Sequence, residues 1–249
     1  MLEFEHMTET AAEDSSNSES ERARACRVPV RLAVFDFDGT CINGNSPVLL
    51  VLYLMKRGML EKSVLARIAL WAAAYKFRLP QNESWVRSLV FSAFEGRRRE
   101  EVDGFLAEFY DGEIASLFRA QADAAMRERA AEGCEVVVVS ATFEPIILRA
   151  MRRHPFSLQV STRMRVNPEG VYTREVEGLP VEGAEKVAAL KRLADARFGE
   201  GGWSLAYAYG DHHSDRALLA AAQRAFAVTP DRPLARTAKR CGWEILEWE

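Results

Sequence analysis

Asp36 and Asp38 stand two apart directly after an apolar run, Ser140 ends a second run, and Asp211 and Asp215 follow a third. Lys186 lies between Ser140 and Asp211. Carboxylates two residues apart in extended backbone point the same way. Held that close they repel unless a cation or a proton sits between them. A divalent ion that prefers hard oxygen ligands, such as Mg²⁺, resolves the conflict, with Asp36, Asp38 and Asp211 as candidate ligands. Phosphoryl transfer needs an oxygen nucleophile, charge neutralisation and positioning. A carboxylate can be that nucleophile through an aspartyl-phosphate, and Asp36 suits the role. Asp38 can protonate a leaving alcohol and then activate water. Ser140 and the amides after it, beginning with that of Ala141, can hydrogen-bond phosphate oxygens. Lys186 offsets negative charge as a compact cation. Asp215, in the opening turn of a helix, can orient Lys186 or a metal-bound water. Gly39 and Thr40 support the first loop.

These residues need elements that bring them together. Residues 32–35 are apolar and feed a turn-rich stretch containing Gly39, Asn43, Gly44 and Asn45, which reads as a buried strand entering a functional loop. Residues 46–131 change to three- and four-residue apolar spacing, with helices expected near 46–57, 61–77, 82–94, 98–110 and 113–131. A second buried strand covers 135–139, and a helix follows over 144–153. Residues 163–166 and 171–174 flank Asn167-Pro168-Glu169-Gly170 as a hairpin. A helix at 184–198, a strand at 205–209, a helix at 215–222, a strand at 225–228, a helix at 231–241 and a strand at 243–247 complete the pattern. Alternating strands and helices imply a mostly parallel sheet covered on both faces. Ligands of such sheets bind beyond the carboxyl ends of the strands, where Asp36, Asp38, Ser140 and Asp211 all fall.

The chain has 249 residues, which suits one α/β domain carrying a sizeable insertion. A net charge of −3 creates no field that gathers nucleic acid, so nucleic acid is excluded as a partner. The basic run at 97–99 is followed at once by Glu100 and Glu101, as in a solvated helix start. Cys26, Cys41, Cys134 and Cys241 form no Cys-x-x-Cys pair, which fits a reducing, cytoplasmic setting without disulfides or zinc. Cys41 reads as a small buried side chain near the site. The start of the chain lacks the order of a signal peptide. The apolar run at 48–55 is far short of the ~20 residues that span a bilayer. Residues 1–28, rich in Ser, Glu and Thr, are expected to be disordered.

With these residues in place the resemblance is plain. Asp36-Phe37-Asp38-Gly39-Thr40, Ser140, Lys186 and Gly210-Asp211-His212-His213-Ser214-Asp215 match, in order, the four motifs of the haloacid-dehalogenase superfamily. The chain resembles its subfamily IB, the phosphoserine-phosphatase-like branch, over about residues 30–247. The resemblance implies an α/β fold: a Rossmann-like parallel sheet at 29–45 and 132–249, with a helical C1-type cap at 46–131 inserted after the first strand. It also implies a Mg²⁺-dependent phosphomonoester hydrolase acting through an aspartyl-phosphate on a small-molecule phosphate ester.

Other readings are weaker. Asp-x-Asp also serves as a metal site in glycosyltransferases, but the following Gly-Thr and the second acidic pair argue against that here. A regulator that only binds a phosphorylated ligand would be expected to lose the nucleophile or the acid, and both stand. His212 and His213 suggest loop or substrate-side residues more than a transition-metal site. Phosphoserine phosphatases carry a Glu shortly after the first motif to meet the substrate ammonium. The ungapped counterpart here is Asn45, a neutral amide. The neighbouring apolar residues Val48, Leu49, Val51, Leu52, Leu65, Ile68, Leu70 and Trp71 offer little to a small zwitterion. They point to a larger or less polar leaving group, a metabolite or lipid headgroup, over phosphoserine proper. Peripheral membrane contact through residues 48–55 and 68–75 is the minority reading.

Overall fold

The computed structural model describes residues 28–60 and 90–249. Residues 1–27 of the expected disordered tail, the helix expected at 61–77 and residues 82–89 of the helix expected at 82–94 therefore lie outside the described residues, as do Leu65, Ile68, Leu70 and Trp71. Six parallel strands form one sheet: β1 (Val30–Phe35), β2 (Glu135–Phe143), β3 (Leu158–Thr162), then β6 (Trp203–Gly210), β7 (Arg224–Val228) and β8 (Glu244–Leu246). Their order is β3-β2-β1-β6-β7-β8. β4 (Met164–Val166) and β5 (Tyr172–Val176) make a separate antiparallel hairpin, as the turn residues between them predict.

The central strands are apolar on both sides because both sides are covered. On β1, Leu32 and Val34 face one cluster while Ala33 and Phe35 face the other, and β2 divides Val137 and Val139 from Val136 and Val138 in the same way. One cluster lies under α5 (Ala184–Phe198), α6 (Arg216–Ala221) and α7 (Arg232–Cys241). On the opposite face Phe35, Tyr209 and Phe226 stack across three neighbouring strands, with centroid separations of 4.2 and 4.5 Å. Chain reversal on either side of β1 opens a crevice at its carboxyl end, between β2 and β6.

The remaining helices are α1 (Ser46–Lys56), α2 (Arg99–Phe109), α3 (Ala120–Ala131) and α4 (Glu144–Met151), and residues 90–94 are also helical. α1 begins where Asn45 accepts the Val48 amide and Pro47 occupies the first turn. The helix expected over 113–131 is not continuous. A π-turn (Tyr110–Ile114) and a 3₁₀ turn (Ala115–Leu117) precede an extended step at Phe118 and Arg119. The cause is pairing with the first loop: Asn43 N–H donates to the Leu117 carbonyl and Arg119 N–H to the Cys41 carbonyl, each at 2.8 Å. The chain entering this helical region and the chain leaving it thus run side by side. α3 then lies against the sheet, its Arg129 guanidinium 4.4 Å from the centre of the Tyr207 ring.

Two further differences from the sequence reading have local causes. β3 was not expected, because its five residues alternate Leu158 and Val160 with Gln159 and Ser161 at the sheet edge. β2 runs three residues past Ser140 through a register shift, where its pairing with β3 skips Ala141 and Thr142.

Candidate functional site

Asp36 follows the last residue of β1, and its amide donates to the Tyr209 carbonyl of β6 at 3.0 Å. The Cys41 thiol donates to the Asp36 carbonyl at 2.9 Å, so this buried cysteine packs beneath the loop as expected. Lys186 reaches up from the first turn of α5. Its Nζ donates to Asp36 Oδ1 at 2.7 Å and to Asp215 Oδ1 at 2.6 Å. All three groups are deeply buried: Asp36 is 6% exposed, Lys186 4% and Asp215 0%.

Asp211 stands just past β6, and Thr40 Oγ1 donates to its Oδ1 at 3.2 Å. Two glycines allow the close approach. Gly39 has φ +75°, and a Cβ there would come within 2.1 Å of Asp211 Oδ2. A Cβ on Gly210 would meet the Asp215 side chain at 2.8 Å. Carboxylate oxygens of Asp36, Asp211 and Asp215 consequently lie within 4.8 Å of one another.

Asp38 departs from the expected ligand set. The backbone turns at Phe37, whose carbonyl accepts the amides of Cys41 and Ile42, so the two motif carboxylates do not stay parallel. Asp38 Oδ1 accepts the Ser46 amide at 2.6 Å. Its Oδ2 accepts Ser46 Oγ at 3.0 Å and Thr142 Oγ1 at 2.5 Å. Its side chain is thus held outside the carboxylate group, where Asp215 stands instead. Ser46 and Thr142 were not singled out from the sequence. The available signal was the hydroxyl two residues past Ser140, on the stretch of β2 that leaves its ladder. Ser140 is buried and its Oγ accepts the Thr142 amide at 3.0 Å, while Ala141 is half-buried in the same irregular stretch.

Residues 33–220, which include every one of these side chains, match the family model for haloacid dehalogenase-like hydrolases. The chain belongs to this family. It is a hydrolase of the haloacid dehalogenase type, and proteins named as phosphatases are among those it resembles. It is 26% identical to a histidinol-phosphatase of Neisseria meningitidis over 88% of this chain and 99% of that one. Among solved structures, a Bordetella pertussis protein of unknown function superposes with a TM-score of 0.77 at 24% identity, covering 88% of this chain and 99% of that one. A substrate-bound phosphoserine phosphatase superposes with a TM-score of 0.59 at 21% identity, covering 88% and 94%. The parallel core and its phosphoserine-phosphatase-like character agree with the sequence reading. Among the described residues, no helix is long and apolar enough to cross a membrane.

Within this hydrolase site the charges do not balance. Three clustered carboxylates face a single ammonium. Burial raises the pKa of Asp36 well above its ordinary value, with Lys186 opposing. Burial, then the Asp215 charge, pushes Asp211 up to about 7. Burial works against the charged form of Lys186, but Asp36 and Asp215 outweigh it and raise its pKa. An all-oxygen donor set with excess negative charge fits a hard divalent cation and not a soft one.

A carboxyl whose folded pKa lies above its unfolded value makes the folded state bind protons more tightly. Metal-free protein should therefore lose stability as pH rises from about 4 through about 7, the window set by Asp211. Added Mg²⁺ should raise Tm more at pH 8 than at pH 5. A Mg²⁺ effect of equal size at both values would show that these carboxylates do not carry the excess charge.

Proposed function

We propose that the chain is a Mg²⁺-dependent phosphomonoester hydrolase that works through an aspartyl-phosphate on Asp36. The observation that carries this reading is the Asp36 carboxylate at the β1 strand end, with one oxygen engaged by Lys186 and two further carboxylates beside it. Asp36, Asp211 and Asp215 are the residues that would hold the metal, whose charge offsets theirs and allows a phosphate dianion to approach. Asp36 Oδ2 attacks phosphorus while the bond to the leaving oxygen breaks. Lys186, Ser140 Oγ and the Ala141 amide bind phosphate oxygens. Asp38 gives its proton to the leaving oxygen, and burial shifts its pKa upward, the direction a general acid needs. A water molecule then attacks phosphorus, Asp38 takes its proton, and the Asp36 carboxylate is released with inorganic phosphate.

Asp36→Asn should lower kcat by at least about a thousandfold with the fold intact, because a carboxamide cannot attack phosphorus usefully. EDTA should abolish turnover of p-nitrophenyl phosphate, Mg²⁺ should restore it, and Zn²⁺ should not surpass Mg²⁺. More than about a hundredth of wild-type kcat in the variant, or full activity after chelation, sinks the mechanism.

Ser46 belongs to α1, the first helix of the helical region, so Asp38 is held by that region and by β2 together. We read α1 and α2, among the described residues, as parts of a lid hinged where residues 41–43 pair with 117–119, with α3 remaining on the core. Closure would bring the leaving group against Asp38 while Ser46 and Thr142 hold that carboxyl in position. Thr142→Val keeps the shape and removes a donor to Asp38. It should slow the first step on an alkyl phosphate at least about tenfold, yet leave the p-nitrophenol burst within about threefold of wild type. That leaving group departs without a proton, so equal losses on both substrates would reduce Thr142 to a packing role.

The leaving group is proposed to be larger or less polar than serine. Asn45 is exposed and its side-chain oxygen is spent on capping α1 through Val48 N–H, 3.1 Å away. Val48, Leu52 and Met55 form an exposed apolar stripe along the same helix. The similarity to a histidinol-phosphatase supports a small metabolite ester, and the stripe keeps a lipid-headgroup phosphate as the second reading. Comparing kcat/KM for phosphoserine, histidinol phosphate, glycerol phosphate and short-chain lipid phosphates decides between them. Phosphoserine should rank low, and a tenfold lead for it would overturn the reading of Asn45.

A further inference from the structure

Outside the Asp36 site, one other group of metal-capable side chains among the described residues brings its ligand atoms within 4.8 Å of one another: His212, His213 and Asp231. His213 Nδ1 lies 3.1 Å and His212 Nε2 3.5 Å from the same oxygen, Asp231 Oδ2. A tetrahedral ion with bonds of about 2.0–2.1 Å places neighbouring ligand atoms about 3.3 Å apart, and the two observed spacings bracket that edge. A carboxylate oxygen at 3.1 Å makes an ordinary hydrogen bond with the first imidazole. At 3.5 Å the second is too distant for one, yet its ring nitrogen faces the same point.

The surroundings hold each ligand in place. Asp231 Oδ1 accepts the Leu234 amide at 2.7 Å at the start of α7, and Oδ2 turns to the histidines, where it also accepts the His213 amide at 3.3 Å. The Asp231 amide donates to the Asp211 carbonyl at 2.9 Å. His212 Nδ1 lies 3.0 Å from Ser214 Oγ and accepts the Ser214 amide at 3.4 Å, contacts that fix the plane of the ring with Nε2 directed at Asp231. Both histidine side chains are close to half exposed, which leaves room for water to complete a coordination shell.

We propose that His212, His213 and Asp231 form a second cation site, selective for Zn²⁺, Co²⁺ or Ni²⁺. Two imidazoles and one carboxylate suit these borderline ions, whereas Mg²⁺ favours the all-oxygen set at Asp36, Asp211 and Asp215. A cation there sits one residue from Asp211 and on the segment that presents it. The site thus offers a route by which a transition metal ties down the loop carrying the phosphatase carboxylates.

The test is a Co²⁺ titration of the untagged, full-length protein in saturating Mg²⁺, followed by visible absorption. One equivalent should bind with the intense spectrum of a four-coordinate N/O site and a Kd below about 0.1 mM. His213→Ala and Asp231→Asn should each weaken binding at least about tenfold, and the second of these keeps the oxygen that caps α7. Absence of saturable binding would overturn the proposal. So would binding that both variants leave unchanged, or a signal that Mg²⁺ displaces, since that ion would be in the Asp36 site.

Discussion

Three carboxylates share one ammonium in the buried centre of this molecule, and much of the surrounding structure exists to hold that arrangement. Lys186 bonds Asp36 and Asp215 together from beneath, while Asp211 closes the third side. Removing such charges from water is costly, and a single cation does not neutralise three anions. Upward pKa shifts at Asp36 and Asp211 follow first from burial, with the neighbouring carboxylates adding to it. A site in this condition is poised to bind positive charge, and through it a phosphate. Electrostatic frustration in the metal-free state is thus the physical counterpart of binding energy in the loaded one.

The sheet makes this concentration of charge affordable. β1 lies between β2 and β6, so a residue just past its end meets side chains from both neighbours without a long reach. Strong apolar burial on both faces anchors the strand ends against the repulsion they carry. Gly39 and Gly210 then supply the absence of a Cβ at the two places where the carboxylates come closest to backbone. Neither glycine is there for flexibility. A side chain at either position would push apart the groups whose proximity gives the site its affinity for cations.

Most of the core was legible in the sequence because its signals are local. Valine-rich runs marked the strands, and polar residues at their ends marked the crevice. The helix expected at 184–198 is α5, and the hairpin followed from the turn residues Asn167 to Gly170. What escaped the sequence reading depends on tertiary pairing. Helical periodicity gave no warning that Leu117 and Arg119 would spend their backbone groups on the first loop, which breaks the helix there. β3 carries polar residues on alternate positions because it lies at the edge, and five such residues do not announce a strand. The direction of the Asp38 side chain was also beyond the pattern. Extended spacing aligned it with Asp36, and only the turn at Phe37 reveals that the alignment ends.

That turn gives the two motif aspartates different neighbours, and hence different chemistry. Asp36 remains among charges, where burial raises its pKa well above the ordinary value and Lys186 opposes the rise. Asp38 is surrounded by neutral donors: Ser46 gives it an amide and a hydroxyl, and Thr142 a second hydroxyl. Burial outweighs those donors, and the net shift favours the protonated acid. Two identical side chains two residues apart are thereby given different partners, one bonded to an ammonium and the other held only by neutral donors. The separation comes from where each carboxyl points, and one of the donors that sets the direction of Asp38 is the first residue of α1. Proton donation and the position of the helical region are therefore linked through the two hydrogen bonds from Ser46, so a displacement of α1 by an ångström or so would be felt at the acid.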